Sequence, residues 1–477
     1  MTAETSTSER QSFWQRLFTG LKNSGPQWRN FFVDAIGQVR VLKKVYPGIM
    51  HFLIFWGVTI QVIGTAINLM QMQLFIPFVE LPFPRGNLYL AFELVMDLAG
   101  GAVLIGVAMA AFRRYILRPK TLITKWDDTF ALILLALIPI VGFTNESMRL
   151  VASSPAWAAW SPIGNALANF WRSLGMTPET AANLHAYMFW SHATLGLTLL
   201  ASIPFTKLRH LAMIPFNVIF HPLRSYGTIE KIENIEEAET LGAGKAQDFS
   251  STQLLSFEAC VSCGRCEEAC PANFSGMPYS PRTLIQDLRK ATLVALKSAN
   301  GEIQEEILGS SISEETPWYC TTCGACTVKC PAFVNPVDQV IDLRRYQVLT
   351  SGNMQKSIGD VLRNVERQGN PWGMPAEDRL AWADGLGVRE LQPGESTDVL
   401  LFLGCAFAYD DRNKKVAQSF VKFLRKAGVD FAILGMDESC CGETARRMGH
   451  EYLFQVFAQQ NIETFSKVKF NRIITQC

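Results

Sequence analysis

The chain has 477 residues, enough for several domains, and its net charge of +1 gives no electrostatic argument for binding nucleic acid. The apolar residues, 48% of the total, are concentrated in long uncharged runs between residues 49 and 220, whereas residues 221–477 have the composition of a soluble protein. The polar N-terminus lacks the basic segment and apolar core of a secretory signal. A membrane half joined to a soluble half is therefore predicted.

Residues 1–48 are predicted to form a cytoplasmic N-terminal or interfacial segment, and residues 49–220 a transmembrane domain. Crossing ~30 Å of hydrocarbon takes about 20 apolar residues. Four segments approach or exceed that length: Ile49–Met70, Leu88–Phe112, Asp128–Val141 with an extension toward Met148, and Ala182–Phe205. The third has the shortest apolar core because Pro139, Asn145 and Glu146 interrupt it.

Lysine and arginine residues orient these segments. They are concentrated before the first segment, between the second and third, and after the fourth, and they are sparse in the other two loops. Cytoplasmic loops carry the excess of positive charge. We therefore predict a multi-pass protein of the inner (cytoplasmic) membrane with its soluble half in the cytoplasm, and an outer loop over residues 149–181.

Five of the six histidines lie in or beside the membrane segments: His51, His185, His192, His210 and His221. Neutral imidazoles from two different helices are a common pair of axial ligands for a b-type haem. His51 lies near the cytoplasmic start of the first segment and His210 just beyond the cytoplasmic end of the fourth, so these two are predicted to bind one haem iron. His185 and His221 are predicted to be structural.

His192 lies 18 residues before His210, or about 27 Å along a straight helix at ~1.5 Å per residue, so it belongs to the outer leaflet. A second haem there would need another ligand, for which Met96 is a candidate. A different hypothesis pairs His192 with Asp97, which shares a helical face with Glu93. Such a pair could hydrogen-bond a quinone and move its protons; alternatively, the two acids hydrogen-bond within the bundle.

After a charged linker over residues 221–250, the domain predicted over residues 251–350 carries two cysteine loops, CVSCGRCEEACP (260–271) and CTTCGACTVKCP (320–331). In this spacing three cysteines of one loop surround a [4Fe–4S] cluster, and the fourth, which precedes proline, ligates the other cluster. Zinc sites usually combine two separated CxxC pairs and fit this pattern less well.

The two predicted ligand sets cross between the loops. The cluster 1 site comprises Cys260, Cys263, Cys266 and Cys330. The cluster 2 site comprises Cys320, Cys323, Cys326 and Cys270. Both sites are predicted to relay single electrons.

Beyond a connecting segment over residues 351–397, the pattern of residues 398–477 predicts β–α–β–α–β. Cysteines fall at or shortly after the carboxyl ends of the three strands, where open α/β folds place their ligand sites. These are Cys405, Cys440, Cys441 and Cys477, which we predict to bind a metal centre.

The Cys-Cys-Gly sequence at residues 440–442 resembles the CCG domain of heterodisulfide reductase-type proteins. In that family the motif ends in CxxC, whereas this chain stops at the first cysteine of that pair, so the domain is expected to be incomplete. The membrane half resembles the haem b subunit of the nitrate reductase gamma type, and the cysteine loops, with the run VDQVIDLRRYQVL, resemble the dicluster segment of heterodisulfide reductase subunits. The fusion is similar to membrane-bound ETF:menaquinone oxidoreductases.

The resemblance implies a multidomain fold: an all-α transmembrane four-helix haem b domain, an α-helical dicluster ferredoxin-like domain and an α/β CCG domain. It carries the haem ligands over to His51, His192 and His210. The related subunits use two histidines on their early helix, and Gln61 stands near the second position. One haem, and a second in the outer leaflet as an alternative, are therefore expected.

The same resemblance implies an oxidoreductase that takes electrons from electron-transferring flavoprotein, or another cytoplasmic redox protein. It would pass them through the CCG centre, two [4Fe–4S] clusters and haem b to menaquinone. Two alternatives stay open. In one, quinol oxidation drives reduction of a disulfide, as in heterodisulfide reductases. In the other, the chain is a non-catalytic membrane anchor or redox-sensing subunit.

Overall fold

The computed structural model describes residues 27–73, 76, 83–222, 227–238, 240–297 and 306–476. The described membrane half contains six α-helices of more than ten residues. They are α1 (Val45–Met70), α2 (Asn87–Ala111), α3 (Trp126–Ser153), α4 (Pro162–Ser173), α5 (Pro178–Ser202) and α6 (His210–Phe220). Helices α1, α2, α3 and α5 are long and apolar enough to cross a membrane. The four predicted spans are confirmed.

The membrane helices form a row in which α1 packs on α2, α2 on α3, and α3 on α5. Glycines allow the closest approach, between α1 and α2. A Cβ atom at Gly57 would lie 2.9 Å from the carbonyl oxygen of Ala99, and one at Gly106 would lie 3.0 Å from that of Met50. Small residues at such crossings let transmembrane backbones pack closely.

The third span is longer than its sequence suggested. Helix α3 continues through Pro139 to Ser153, and Arg149 neutralises Glu146 one turn away at 2.8 Å. The outer segment predicted as a loop also contains helix α4. Polar residues ended the apolar pattern there, but ion pairs within the bundle allow the helix to continue.

The region of the cysteine loops is helical, as predicted. Its longer helices are α7 (Ser251–Ala259), α8 (Pro281–Lys297) and α9 (Pro336–Arg345). Fully buried residues from each helix, Phe257, Leu288 and Val340, share one core. This core holds the two cysteine loops against each other.

The last domain is a small parallel sheet flanked by helices, which confirms the predicted β–α–β–α–β order. Its elements are β1 (Ser396–Phe402), α11 (Asp411–Lys426), β2 (Phe431–Ala432), α12 (Glu451–Ser466) and β3 (Lys469–Thr475), and they follow α10 (Lys356–Gln368). The strand order is β2-β1-β3, with Val399 paired to Phe431 and Leu400 to Ile473.

The segments predicted as linkers take part in the packing. Val365 and Trp382 of the connecting segment are buried in the core of the last domain. In the charged linker, the carbonyl oxygens of Ile229 and Ile232 accept hydrogen bonds from Arg446 at 3.1 Å and from Gln455 at 2.9 Å. Both segments therefore pack against the last domain.

Candidate redox centres

The two cysteine loops have nearly the same backbone conformation. Ser262 and Thr322 have φ angles of 56° and 55°, and the glycines that follow two residues later, Gly264 and Gly324, have 81° and 74°. Left-handed angles of this kind are rare outside glycine, so their repetition indicates one geometry used twice. Tight turns at these positions direct several thiols of each loop to one centre.

The fourth cysteine of each loop lies near cysteines of the other loop. Burial, with the neighbouring thiolates of Cys263 and Cys260, raises the pKa of Cys330 to about 12. The pKa of Cys270 is raised by burial and then by Cys320 and Cys323. The crossed arrangement suits two clusters that lie side by side.

Most thiols of the two sites are buried or half-buried, although Cys323 is exposed. Burial raises the pKa of Cys326 to about 12, with a further contribution from Cys320. Thiolates in such surroundings need a cation, which iron would supply. No group of three or more potential ligands in the described ranges is placed to hold a single metal ion. Four thiolates are farther apart around a cube than around one ion, so the residues fit a cluster better than zinc.

Three of the predicted ligands in the last domain converge. Hydrogen bonding from the Cys440 thiol lowers the pKa of Cys405 and lowers that of Cys441 to about 6. The amide of Gly442 donates to Cys440 Sγ at 3.4 Å. The fourth predicted ligand, Cys477, lies outside the described residues. These thiols are suited to binding a metal cluster or to thiol redox chemistry.

The connecting segment supplies a charge to this centre that the sequence did not reveal. Nη2 of Arg379 lies 3.4 Å from Cys405 Sγ, and its Nη1 lies 3.1 Å from Oε1 of Glu438. Both side chains are buried. Glu438 also accepts the amides of Leu403 at 3.0 Å and Gly404 at 2.8 Å. The buried pair therefore holds the turn before Cys405 in place.

His51 and His210 face each other, with ring centroids 6.3 Å apart and a 57° angle between the ring planes. Two imidazoles on opposite sides of one iron have centroids about 6 Å apart, because each nitrogen lies roughly 2 Å from the metal. Nδ1 of His210 donates to the carbonyl of Lys207 at 2.7 Å, which leaves Nε2 for a metal. Burial lowers the pKa of His210 and favours the neutral ligand form.

Gln38 is a site residue that sequence reasoning missed. Its Oε1 lies 3.0 Å from Nδ1 of His51, so Nε2 of that histidine is also left for a metal. The Gln38 side chain is buried, and its Nε2 has no protein partner among the described residues. A polar atom orphaned beside two facing histidines fits a site that receives a further polar group, such as a haem carboxylate.

The candidates for an outer haem are arranged differently. Nδ1 of His192 donates to the carbonyl of Ile138 on α3 at 3.0 Å. Gln61 turns toward α2, where its amide donates to the carbonyl of Met96 at 2.7 Å. The Met96 side chain packs on Gly64. Gln61 and Met96 therefore serve the contact between α1 and α2.

The two buried acids of α2 both have protein partners. Asp97 accepts the backbone amides of Ile163 and Gly164, each at 2.9 Å, at the start of α4. Glu93 pairs with Arg149 at 3.2 Å. No hydrogen bond joins Asp97 to His192 in the described part of the bundle. Of the two hypotheses, these contacts favour hydrogen bonding within the bundle.

The remaining histidines have structural contacts. His185, seven residues before His192, donates Nδ1 to the carbonyl of Asn145 on α3 at 3.2 Å. His221 packs edge-on against Phe333, with centroids 5.3 Å apart. Both contacts agree with the structural roles predicted for them.

The loop over residues 260–271, called the cluster 1 loop here, contacts the membrane domain near His51. Nη1 of Arg40, two residues after Gln38, lies 3.4 Å from the carbonyl oxygen of Cys330. Arg265 of the loop donates to the carbonyls of Arg40 at 3.0 Å and Val41 at 2.9 Å. One short segment thus contacts a cluster 1 ligand and a predicted haem ligand.

The loop over residues 320–331, called the cluster 2 loop here, contacts the last domain. Arg447, in the short helix after Cys441, donates to Thr322 Oγ1 at 2.7 Å. Arg344 donates to the carbonyl of Cys320 at 2.6 Å and to that of Arg447 at 2.7 Å. A buried carboxylate, Glu451, joins the same domains: it accepts Arg345 at 2.8 Å and Arg446 at 3.1 Å.

Three family models match successive parts of the chain. Residues 43–228 match the nitrate reductase gamma subunit, residues 256–334 the 4Fe-4S dicluster domain, and residues 399–477 a cysteine-rich domain named CCG. Together they cover the three domains. No solved structure matches the chain.

Curated relatives match over different lengths. EtfAB:quinone oxidoreductase of Syntrophomonas wolfei is 34% identical over 98% of this chain and 71% of its own. The Bacillus subtilis protein named probable iron-sulfur-binding oxidoreductase FadF is 34% identical over 93% of this chain and 68% of its own. One subunit of the dihydromethanophenazine:CoB--CoM heterodisulfide reductase of Methanosarcina barkeri is 28% identical over 48% of this chain and 57% of its own.

Proposed function

Because the chain belongs to the family of membrane-bound iron–sulfur oxidoreductases that includes EtfAB:quinone oxidoreductase, we propose that it passes electrons from a cytoplasmic protein donor to a quinone in the membrane. Electron-transferring flavoprotein is the proposed donor and menaquinone the proposed acceptor. The cysteine sites would hold iron–sulfur clusters that carry single electrons, and His51 and His210 would hold one haem b.

The order of the sites supports this function. The centre at Cys405 lies in the domain that contacts the cluster 2 loop, and the proposed crossed ligands would bring clusters 1 and 2 side by side. The cluster 1 loop in turn rests on the membrane domain. The observation that carries the proposal is the segment from Gln38 to Arg40, which contacts His51 at one end and Cys330 at the other.

The relation to the Methanosarcina heterodisulfide reductase supports a second candidate, in which quinol donates electrons and the cysteine-rich centre reduces a disulfide. Three converging thiols, Cys405, Cys440 and Cys441, suit that chemistry as well. The two functions use the same sites in opposite directions, so the donor decides between them.

Purified full-length protein in lipid is mixed anaerobically with reduced electron-transferring flavoprotein, and the haem optical band is followed. We expect the band to change to its reduced form and a menaquinone analogue to reoxidise it. A band that responds to quinol and is reoxidised by a disulfide, but ignores the flavoprotein, would favour the second candidate. A haem that responds to neither donor would indicate an anchoring or sensing role.

A further inference from the structure

Tyr279 carries a buried hydroxyl that has no nitrogen or oxygen partner in the described protein. The side chain is 3% exposed, and the neighbouring group that its hydroxyl reaches is the Cys320 thiol, a weak acceptor. Leaving a buried donor unsatisfied costs about 1–3 kcal/mol. Such a group in a well-packed core indicates a partner that the polypeptide itself does not provide.

The surroundings of this hydroxyl identify the partner chemically. The ring packs in the same core as Cys270. Burial raises the pKa of Tyr279, and the charge and hydrogen bond of Cys320, followed by the charges of Cys326 and Cys270, raise it further. The phenol therefore lies near three of the four cysteines of the cluster 2 site.

We propose that the Tyr279 hydroxyl donates a hydrogen bond to a sulfur atom of the cluster held at the cluster 2 site and thereby raises its reduction potential. This inference rests on the proposed cluster ligation. A hydrogen bond to a cluster sulfur stabilises the reduced form, which carries the additional negative charge. Tyr279 acts here as a tuning residue and not as a ligand.

The internal repeat makes the donor specific to one cluster. Tyr279 stands two residues before Pro281, which begins α8, and Val334 stands two residues before Pro336, which begins α9. Val334 is also buried, but its side chain has no donor. Removing the Tyr279 hydroxyl should therefore change the reduction potential of one cluster and leave that of the other unchanged.

The test is a potentiometric EPR titration of the full chain in lipid, comparing the wild type with Tyr279→Phe. We expect one of the two cluster transitions to move to lower potential while the other stays, with iron content unchanged. Tyr319→Phe is the matched control: it adjoins Cys320, but its exposed hydroxyl donates to Glu315 at 2.6 Å, so it should move neither transition. Two unmoved transitions in Tyr279→Phe, or an equal shift in both variants, would overturn the proposal.

A second measurement covers a variant that fails to assemble. In the reduced wild type, ENDOR spectra in H₂O and D₂O should reveal a strongly coupled exchangeable proton at one cluster that has no counterpart at the other, in addition to the backbone amides that donate to cysteine sulfurs at both sites. Equal sets of exchangeable protons at the two clusters would also overturn the proposal. Failure of the proposed cluster ligation looks different, because the wild type would then contain fewer than two [4Fe–4S] clusters. Failure of the proposed function would leave both clusters in place, and the haem band would not respond to reduced electron-transferring flavoprotein.

Discussion

The side-chain oxygen of Gln38 accepts a hydrogen bond from Nδ1 of His51 at 3.0 Å. Gln38 adopts a φ angle of 56°, a left-handed conformation that is uncommon for residues other than glycine. Metal-binding histidines are commonly oriented by a hydrogen bond at the nitrogen that does not bind the metal. The unfavourable backbone of Gln38 thus coincides with a contact that orients a predicted haem ligand.

Replacing Gln38 with leucine should weaken haem binding roughly ten- to hundredfold, the usual cost of losing a partner that orients a metal ligand. The haem that remains should have a higher midpoint potential, because His51 becomes a weaker electron donor. Haem retention during dilution and an optical redox titration measure these effects. Gln38→Glu keeps an acceptor and should shift the potential the opposite way; equal shifts in both variants would contradict this account.

The chain should bind one haem. Substituting His51 or His210 with alanine should remove nearly all bound haem, whereas His192→Ala should leave the haem content unchanged, because Gln61 and Met96 are engaged between α1 and α2. A pyridine haemochrome assay on each purified variant measures the ratio of haem to protein. Two haems per chain, or loss of half the haem in His192→Ala, would show that an outer site exists.

The Asp97→Asn variant separates two roles for this buried acid. If Asp97 holds the start of α4, asparagine retains one acceptor and quinone reduction should stay within a few-fold of the wild type. Asp97→Ala should then lower stability by about 0.5–2 kcal/mol, the usual cost of losing a helix cap. Quinone turnover and thermal unfolding in lipid are compared across both variants. Loss of turnover in a stable Asp97→Asn protein would restore the proton-transfer hypothesis.

His450 should make the start of α12 sensitive to pH. Its Nδ1 accepts the amide of Leu453 at 3.2 Å, and burial lowers its pKa. A histidine with a lowered pKa stabilises the folded state above its unfolded pKa of about 6.5, and this stability is lost as the pH falls toward the folded pKa.

Hydrogen exchange of the full chain, corrected for the intrinsic rate, measures this loss at the first turn of α12. Below pH about 6.5 protection should fall by roughly fivefold, since a cap contributes ~1 kcal/mol. His450→Asn keeps an acceptor that does not titrate, so its protection should be independent of pH. A pH response of equal size in this variant would assign the effect to another group.

The sequence predicted the elements whose chemistry is local. Uncharged apolar segments of about 20 residues indicate helices that cross a membrane. The spacing of the cysteines allows only a few arrangements of their thiols around a cluster. The parallel strands were predictable because β1 has neighbours on both sides and is apolar along its buried length. For the same reason the positions of the cysteines after the strands could be foreseen.

Contacts between distant segments could not be predicted. Gln38 and Arg379 lie in stretches without a motif, and their importance depends on which side chains the fold brings beside them. The acid Asp97 carries a similar lesson, because a buried carboxylate in a membrane suggests proton transfer until the amides of α4 are found beside it. A polar residue in an apolar sequence segment indicates that the side chain needs a partner, but the sequence does not show which residue that partner is.

The ion network at Glu451 determines how the soluble half can behave. This carboxylate has no exposed surface and is shared by Arg345 and Arg446, so separating the domains would strand charges at a cost of several kcal/mol. The cysteine-rich domain is therefore held in a fixed position relative to the dicluster domain and does not move between sites on a flexible linker. If electrons pass along the predicted sites, the distances between those sites are set when the protein folds, and only the encounter with a donor or acceptor molecule depends on diffusion.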